Sequence, residues 1–121
     1  MIKYFPAPEL DSQMREIADK LGIKHDFSRI VCIRSRGSSS RRTIARCHAL
    51  PKVMQIALGK EAHYAIEVIS EAFDRLEQEE KTKVLIHELL HIPKAFGGGF
   101  KYHNYVNKKT VDKMYEKFKA F

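Results

Sequence analysis

At 121 residues the chain has the length of one domain with one hydrophobic core, and its 44% hydrophobic content without a long charge run argues against disorder. It contains no run of 18 apolar residues, which excludes a transmembrane helix, and the opening Met1-Ile2-Lys3-Tyr4-Phe5-Pro6 is too short and proline-broken for a signal peptide. The expected compartment is therefore the cytoplasm, and the formal net charge of +7 leaves a positive surface to be accounted for.

Leu10, Met14, Ile17, Ala18 and Leu21 recur at helical spacing, with Pro8 just ahead and Gly22 just after, so an amphipathic helix opens the fold. Residues 27–35 and 43–50 are rich in β-branched side chains and predict two strands joined through the polar turn Arg36-Gly37-Ser38-Ser39-Ser40-Arg41. If that turn centres between Ser39 and Ser40, Cys32 and Cys47 fall opposite each other and a disulfide is geometrically conceivable. Two small buried thiols are the plainer expectation. Arg34, Arg36, Arg41, Arg42 and Arg46 gather about the tip of this hairpin, and Lys101, Lys108, Lys109 and Lys113 form a second basic group. Such patches attract nucleic acid through phosphate neutralisation, with Arg36, Arg41 and Arg42 as the contacts. No aromatic residues interleave with the arginines as base stacking requires, and a solvated positive surface is the plainer expectation.

Val53 to Leu58, ended by Gly59, predicts a third strand, and residues 62–69 a fourth with Tyr64, Ile66 and Val68 on one face. Phe73 and Leu76 lead into a helix that starts among Glu77, Gln78, Glu79 and Glu80, where acidic residues meet the positive end of the macrodipole. Val84, Leu85, Ile86, Leu89 and Leu90 make that helix apolar on most sides, apart from a stripe at His87, Glu88 and His91. Pro93 stops it, and Gly97, Gly98 and Gly99 allow a tight return. A closing helix carries Val111, Met114, Tyr115 and Phe118. The expected fold class is α+β: an N-terminal helix, a small sheet of three or four strands, a helix with the histidines, and a C-terminal helix, all in one domain over residues 1–121.

The stripe carries the chemistry. His87-Glu88-Leu89-Leu90-His91 is an H-E-x-x-H sequence, which shuffled chains of this composition contain about once in forty. Side chains four apart on a helix stack on one face, so both imidazoles can point at one ion while Glu88 lies beside them as general base. A catalytic zinc takes three protein ligands and keeps a fourth position open. His103, twelve residues after His91 and between Tyr102 and Tyr105, is the candidate third ligand, with Glu116 and Asp112 as alternatives. Tyr102 and Tyr105 are candidates for an oxyanion or substrate contact by proximity, or for packing the loop. His25, His48 and His63 lie outside motif spacing and read as surface or packing residues. The bland alternative is a chance pair of histidines bonded to each other, or a structural metal site.

Tyr64, Ser70, Phe73, Asp74, Leu76, Glu79, Glu80 and Lys81, followed by the HELLHIP and FGGGFKYH stretches, resemble the small zincin-like metallopeptidases of archaea and phages, which are distantly similar to SprT-like proteases. The resemblance covers about residues 62 to 105. It implies a compact zincin-like core, Zn2+ at His87, His91 and His103, Glu88 as catalytic base, and a peptide or protein substrate. In such proteins the strand before the zinc helix lines the cleft at the sheet edge, which here is residues 62–69, and an extended peptide could pair with it. The chain departs from the SprT-like pattern in two ways: Asn104 follows His103 where Gly is usual, and the cysteines for a zinc ribbon are lacking. The activity expected is zinc-dependent peptide hydrolysis. The alternative is a latent or inactive zincin-fold protein with a nucleic-acid or protein binding role.

Overall fold

A computed structural model describes residues 1–39, 42–93, 96–99 and 106–121. The fold is α+β, a four-stranded mixed sheet with its helices built around one core. Helix α1 (Pro8–Leu21) buries Leu10, Met14, Ile17, Ala18 and Leu21, the same five positions its periodicity marks. Pro8 occupies its first turn, and Gly22 closes it at φ 71°, a left-handed cap that glycine adopts without strain. Each large apolar side chain so buried stabilises the fold by roughly 1.5–3 kcal/mol before entropy is charged against it.

The sheet contains β1 (Lys3–Pro6), β2 (Ile30–Arg36), β3 (Ala45–Ala49) and β4 (Tyr64–Ile69), in the spatial order β1-β2-β4-β3. Strand β1, absent from the sequence expectation, pairs antiparallel with β2 as an edge strand and ends at Pro6, where a proline is tolerated. The expected β2–β3 hairpin does not form. Strand β4 inserts between the two, parallel to β2 and antiparallel to β3. Cys32 and Cys47 consequently flank Ile66 from opposite sides, two strand spacings or about 10 Å apart, and both are free thiols. Burial pushes the Cys32 thiol far up and the Cys47 thiol up to about 12.

The same insertion makes β4 a central strand, so residues 62–69 do not form the edge expected of them. The edge beside the later helices is β3. Ile69 N–H donates to Ile44 O at 2.8 Å, and Leu50 N–H to His63 O at 2.9 Å. Those two bonds fix the ladder's phase. Arg46 and His48 bond to β4, while the backbone groups of Ala45, Cys47 and Ala49 point away from it.

Residues 53–58 are helix, not strand: α2 (Lys52–Leu58) runs from Pro51 to Gly59, which caps it at φ 64°. Its pattern is inverted, with Gln55 buried and Val53, Met54, Ile56 and Leu58 exposed. A six-residue apolar run reads alike as strand or helix, and here no sheet position was left for it. A short helix α3 (Ser70–Phe73) then leads to α4 (Gln78–Leu90), and α5 (Lys108–Lys119) closes the fold. Helices α1, α4 and α5 pack against one another, α1 against β2 and α4 against β3. In α5, Val111 is buried while Met114, Tyr115 and Phe118 pack partly buried on the core.

Arg34 leaves the basic cluster expected at the hairpin tip. Its guanidinium lies 2.9 Å from Glu9 and 2.7 Å from Asp74, tying α1 to the turn after α3. Arg46 lies 3.9 Å from buried Glu67, which also accepts a hydrogen bond from Ser35 Oγ at 2.6 Å and contacts His48 Nε2 at 2.8 Å. Burial alone would raise the Glu67 carboxyl, but these partners outweigh it and hold it below its ordinary value. Arg36 and Arg42 are exposed, and Arg41 lies outside the described residues.

Candidate metal centre and active site

Helix α4 begins with Glu79 and Glu80 in its first turn, packs Leu85, Ile86 and Leu89 into the core, and ends at Leu90. His91 is the residue that caps it, still in helical conformation at φ −67° and ψ −21°, so the four-residue spacing keeps its geometry. His87 Nε2 and His91 Nε2 come within 3.2 Å of each other, with the rings 4.9 Å apart and inclined at 72°. Two ligands each about 2.0–2.1 Å from a tetrahedral ion stand roughly 3.3 Å apart, so this donor pair has the spacing one zinc ion requires. A single N–H···N bond between neutral rings satisfies the same distance without metal. A buried carboxylate lies beside them.

Glu88 is 6% exposed, its Oε2 lies 3.9 Å from His87 Nε2, and the candidate ligand atoms of His87, Glu88 and His91 all fall within 4.8 Å. Among the described residues no other group of three His, Cys, Asp or Glu side chains is so placed. Burial lifts the Glu88 carboxyl to about 7, where a general base works best near neutral pH. Cys47, on the inner face of β3, lies near enough for the Glu88 charge to add to the burial that raises its thiol.

A cleft of about 690 Å³ reaches His87 and Glu88. One wall is Arg42 to Ala45 leading into β3, the floor is α4 from Glu80 to Glu88, and the other wall is the start of α5 at Lys108, Val111 and Asp112. Asp112, an alternative third ligand, reaches the cleft but is held by Lys108 at 2.6 Å and Lys83 at 3.2 Å. Glu116, the other, is exposed and paired with Lys119 at 3.3 Å. His103, Tyr102 and Tyr105 lie outside the described residues. The remaining histidines sit elsewhere. His25 stacks on Phe96 with its imidazole pushed below the ordinary value by burial, His48 meets Glu67, and His63 Nδ1 is 2.8 Å from Glu61 O.

Over residues 2–119 the sequence matches the family described as "Putative phage metallopeptidase". The chain belongs to the phage metallopeptidase family. No curated protein and no solved structure matches it. The match spans β1 through α5, so the phage metallopeptidase relationship includes the whole sheet and not only the α4 motif. The family name points to a peptidase that works with a metal ion on peptide or protein substrates. No helix among the described residues is long and apolar enough to cross a membrane.

Two features of this phage metallopeptidase site were beyond sequence reasoning. One is the place of β3 as an edge strand among the described residues, which no local pattern marks because strand order is a tertiary property. The other is the bonding of Tyr64, expected only on one face of the fourth strand with Ile66 and Val68: its hydroxyl accepts from Gly98 N–H and donates to Gly99 O, each at 2.9 Å.

Proposed function

We propose that the chain is a zinc-dependent peptidase in which His87, His91 and His103 hold Zn2+ and Glu88 is the general base. The observation that carries this reading is the pair of imidazole nitrogens 3.2 Å apart with a buried carboxylate alongside. When bound, zinc would supply Lewis-acid polarisation of the scissile carbonyl and lower the pKa of attacking water toward ~7. Glu88 takes the proton from the attacking water and passes it to the leaving amine, a task its buried carboxyl is tuned for. The substrate lies in the cleft as an extended chain, pairing with the outward backbone groups of Ala45, Cys47 and Ala49. Tyr102 and Tyr105 are assigned to the oxyanion or the substrate on their nearness to His103 in sequence. The compartment this implies is the cytoplasm.

The test is Glu88→Gln. The amide is nearly isosteric but cannot accept a proton near neutral pH, so the variant should keep bound zinc and the parent's far-UV spectrum while cleaving no peptide the parent cleaves. Turnover retained in that variant refutes the assigned role.

A further inference from the structure

Among the described residues Glu67 and Glu88 are the two buried carboxylates, and the proposed chemistry uses only Glu88. A glutamate is almost never fully buried unless it is paired. The partners of Glu67 come from the strands on either side of it. In β2, Ser35 Oγ donates to Glu67 Oε2 at 2.6 Å. In β3, His48 Nε2 meets Oε1 at 2.8 Å, and Arg46, the residue directly opposite in the ladder, lies 3.9 Å from Oε2. Ser35 is wholly buried, whereas the Arg46 and His48 side chains are 42% and 52% exposed. The group lies on the sheet face away from α4. Ala45, Cys47 and Ala49 alternate with Arg46 and His48 and point the other way, and Cys47 is near enough to feel the Glu88 charge.

Those three inward side chains cannot fix how β3 lies along β4. Ala, Cys and Ala are close in size, so sliding the strand by two residues exchanges one small half-buried side chain for another. The outward side chains do discriminate, because only the observed register sets Glu67 opposite Arg46 with His48 in reach. From these contacts we propose that Glu67 is a positioning residue that locks the register of β3 and so sets where its outward backbone groups stand along the cleft. The use of those groups by an extended substrate rests on the function proposed above. A two-residue slip would carry Ala45 about 7 Å along the cleft wall, far beyond the ~0.5 Å within which a productive site must be held. Stability alone does not call for a carboxylate here, since an apolar side chain of similar volume is often neutral or stabilising in place of a buried ion pair.

The experiment compares the full-chain parent with the double variant Ser35→Ala/Glu67→Met, which replaces the buried polar pair by apolar side chains and orphans no buried hydroxyl. Amide hydrogen exchange is read first. The Arg46 and His48 amides, which bond to β4, should lose protection by roughly ten- to a hundredfold, the range of a hydrogen bond to a charged group. The Ile66 and Val68 amides, which face β2, should keep theirs. Equal losses in both sets mean general destabilisation and overturn the inference, and so does unchanged protection of Arg46 and His48. Peptide cleavage by the zinc-loaded proteins is read second. KM for an extended peptide should rise about three- to tenfold, as for a register populated a third to a tenth of the time, with kcat within about twofold of the parent. If exchange changes as expected while KM does not, the register lock stands, and the pairing of substrate with β3 is what fails. Should the double variant not fold, Arg46→Ser/His48→Ser removes the β3 partners from the surface instead. Protection at positions 46 and 48 should then fall by a similar factor, and protection equal to the parent's refutes the proposal.

Discussion

Replacing Glu88 by Gln should stabilise the metal-free protein while abolishing its chemistry. The Glu88 carboxyl is 6% exposed, and burial moves it from an ordinary 4.5 to about 7 in the fold. That displacement corresponds to roughly 3 kcal/mol against the ionised form. The sign follows from proton counting. Between about pH 4.5 and 7 the folded state holds a proton that the unfolded state has released, so stability falls as pH rises through that window. Below it both states are protonated and the cost vanishes; above pH 7 the cost is fully present. Gln carries no charge at any of these pH values. Urea unfolding of metal-free parent and Glu88→Gln should therefore give similar stabilities at pH 4.5 and a gap of about 3 kcal/mol in favour of the variant at pH 8. Zinc added at pH 8 should stabilise the parent by mass action. A gap of the same size at both pH values, or none at pH 8, would mean that Glu88 is not held in the water-poor site described and that its tuning as a base is wrong.

Two further expectations concern the surface and the edge. Arg34→Ala should lower unfolding free energy by about 1–2 kcal/mol, because it removes a guanidinium bonded to Glu9 and Asp74, whereas Arg36→Ser should change it by less than ~0.5 kcal/mol; equal effects in thermal melts would show that the arginines are not divided as described. Ala45→Pro removes one outward N–H of β3 without breaking the ladder to β4, so kcat/KM on an extended peptide should drop about two- to twelvefold while the fold survives; cleavage at the parent rate would mean that the substrate does not pair with this edge.

What could be read from the residues was whatever is local. The α1 face appears in sequence as it appears in the fold because a 3.6-residue period is a property of the helix itself. The α4 stripe is legible for the same reason, and even the cap at His91 keeps the i to i+4 alignment of the two imidazoles. Strand order is not local. Residues 37–44 are long enough either to turn a hairpin or to span one intervening strand, and the pairing of β4 with both β2 and β3 is a tertiary choice that neither segment announces. The disulfide, the expected edge at 62–69 and the arginine tip all depended on that one choice. For Val53–Leu58 the apolar run suggested a strand, yet Pro51 and Gly59 bracket it with helix punctuation. Glu67 gave no sign of its burial, since its neutralising partners come from β2 and β3.

Whether His87 and His91 hold a metal ion is decided by elemental analysis of the purified protein. One zinc per chain is expected in the parent and in Glu88→Gln, and none in His87→Ala or His91→Ala, with each variant otherwise folded by circular dichroism. A parent that takes up no zinc when it is supplied, or a His91→Ala protein that retains a full equivalent, would contradict it.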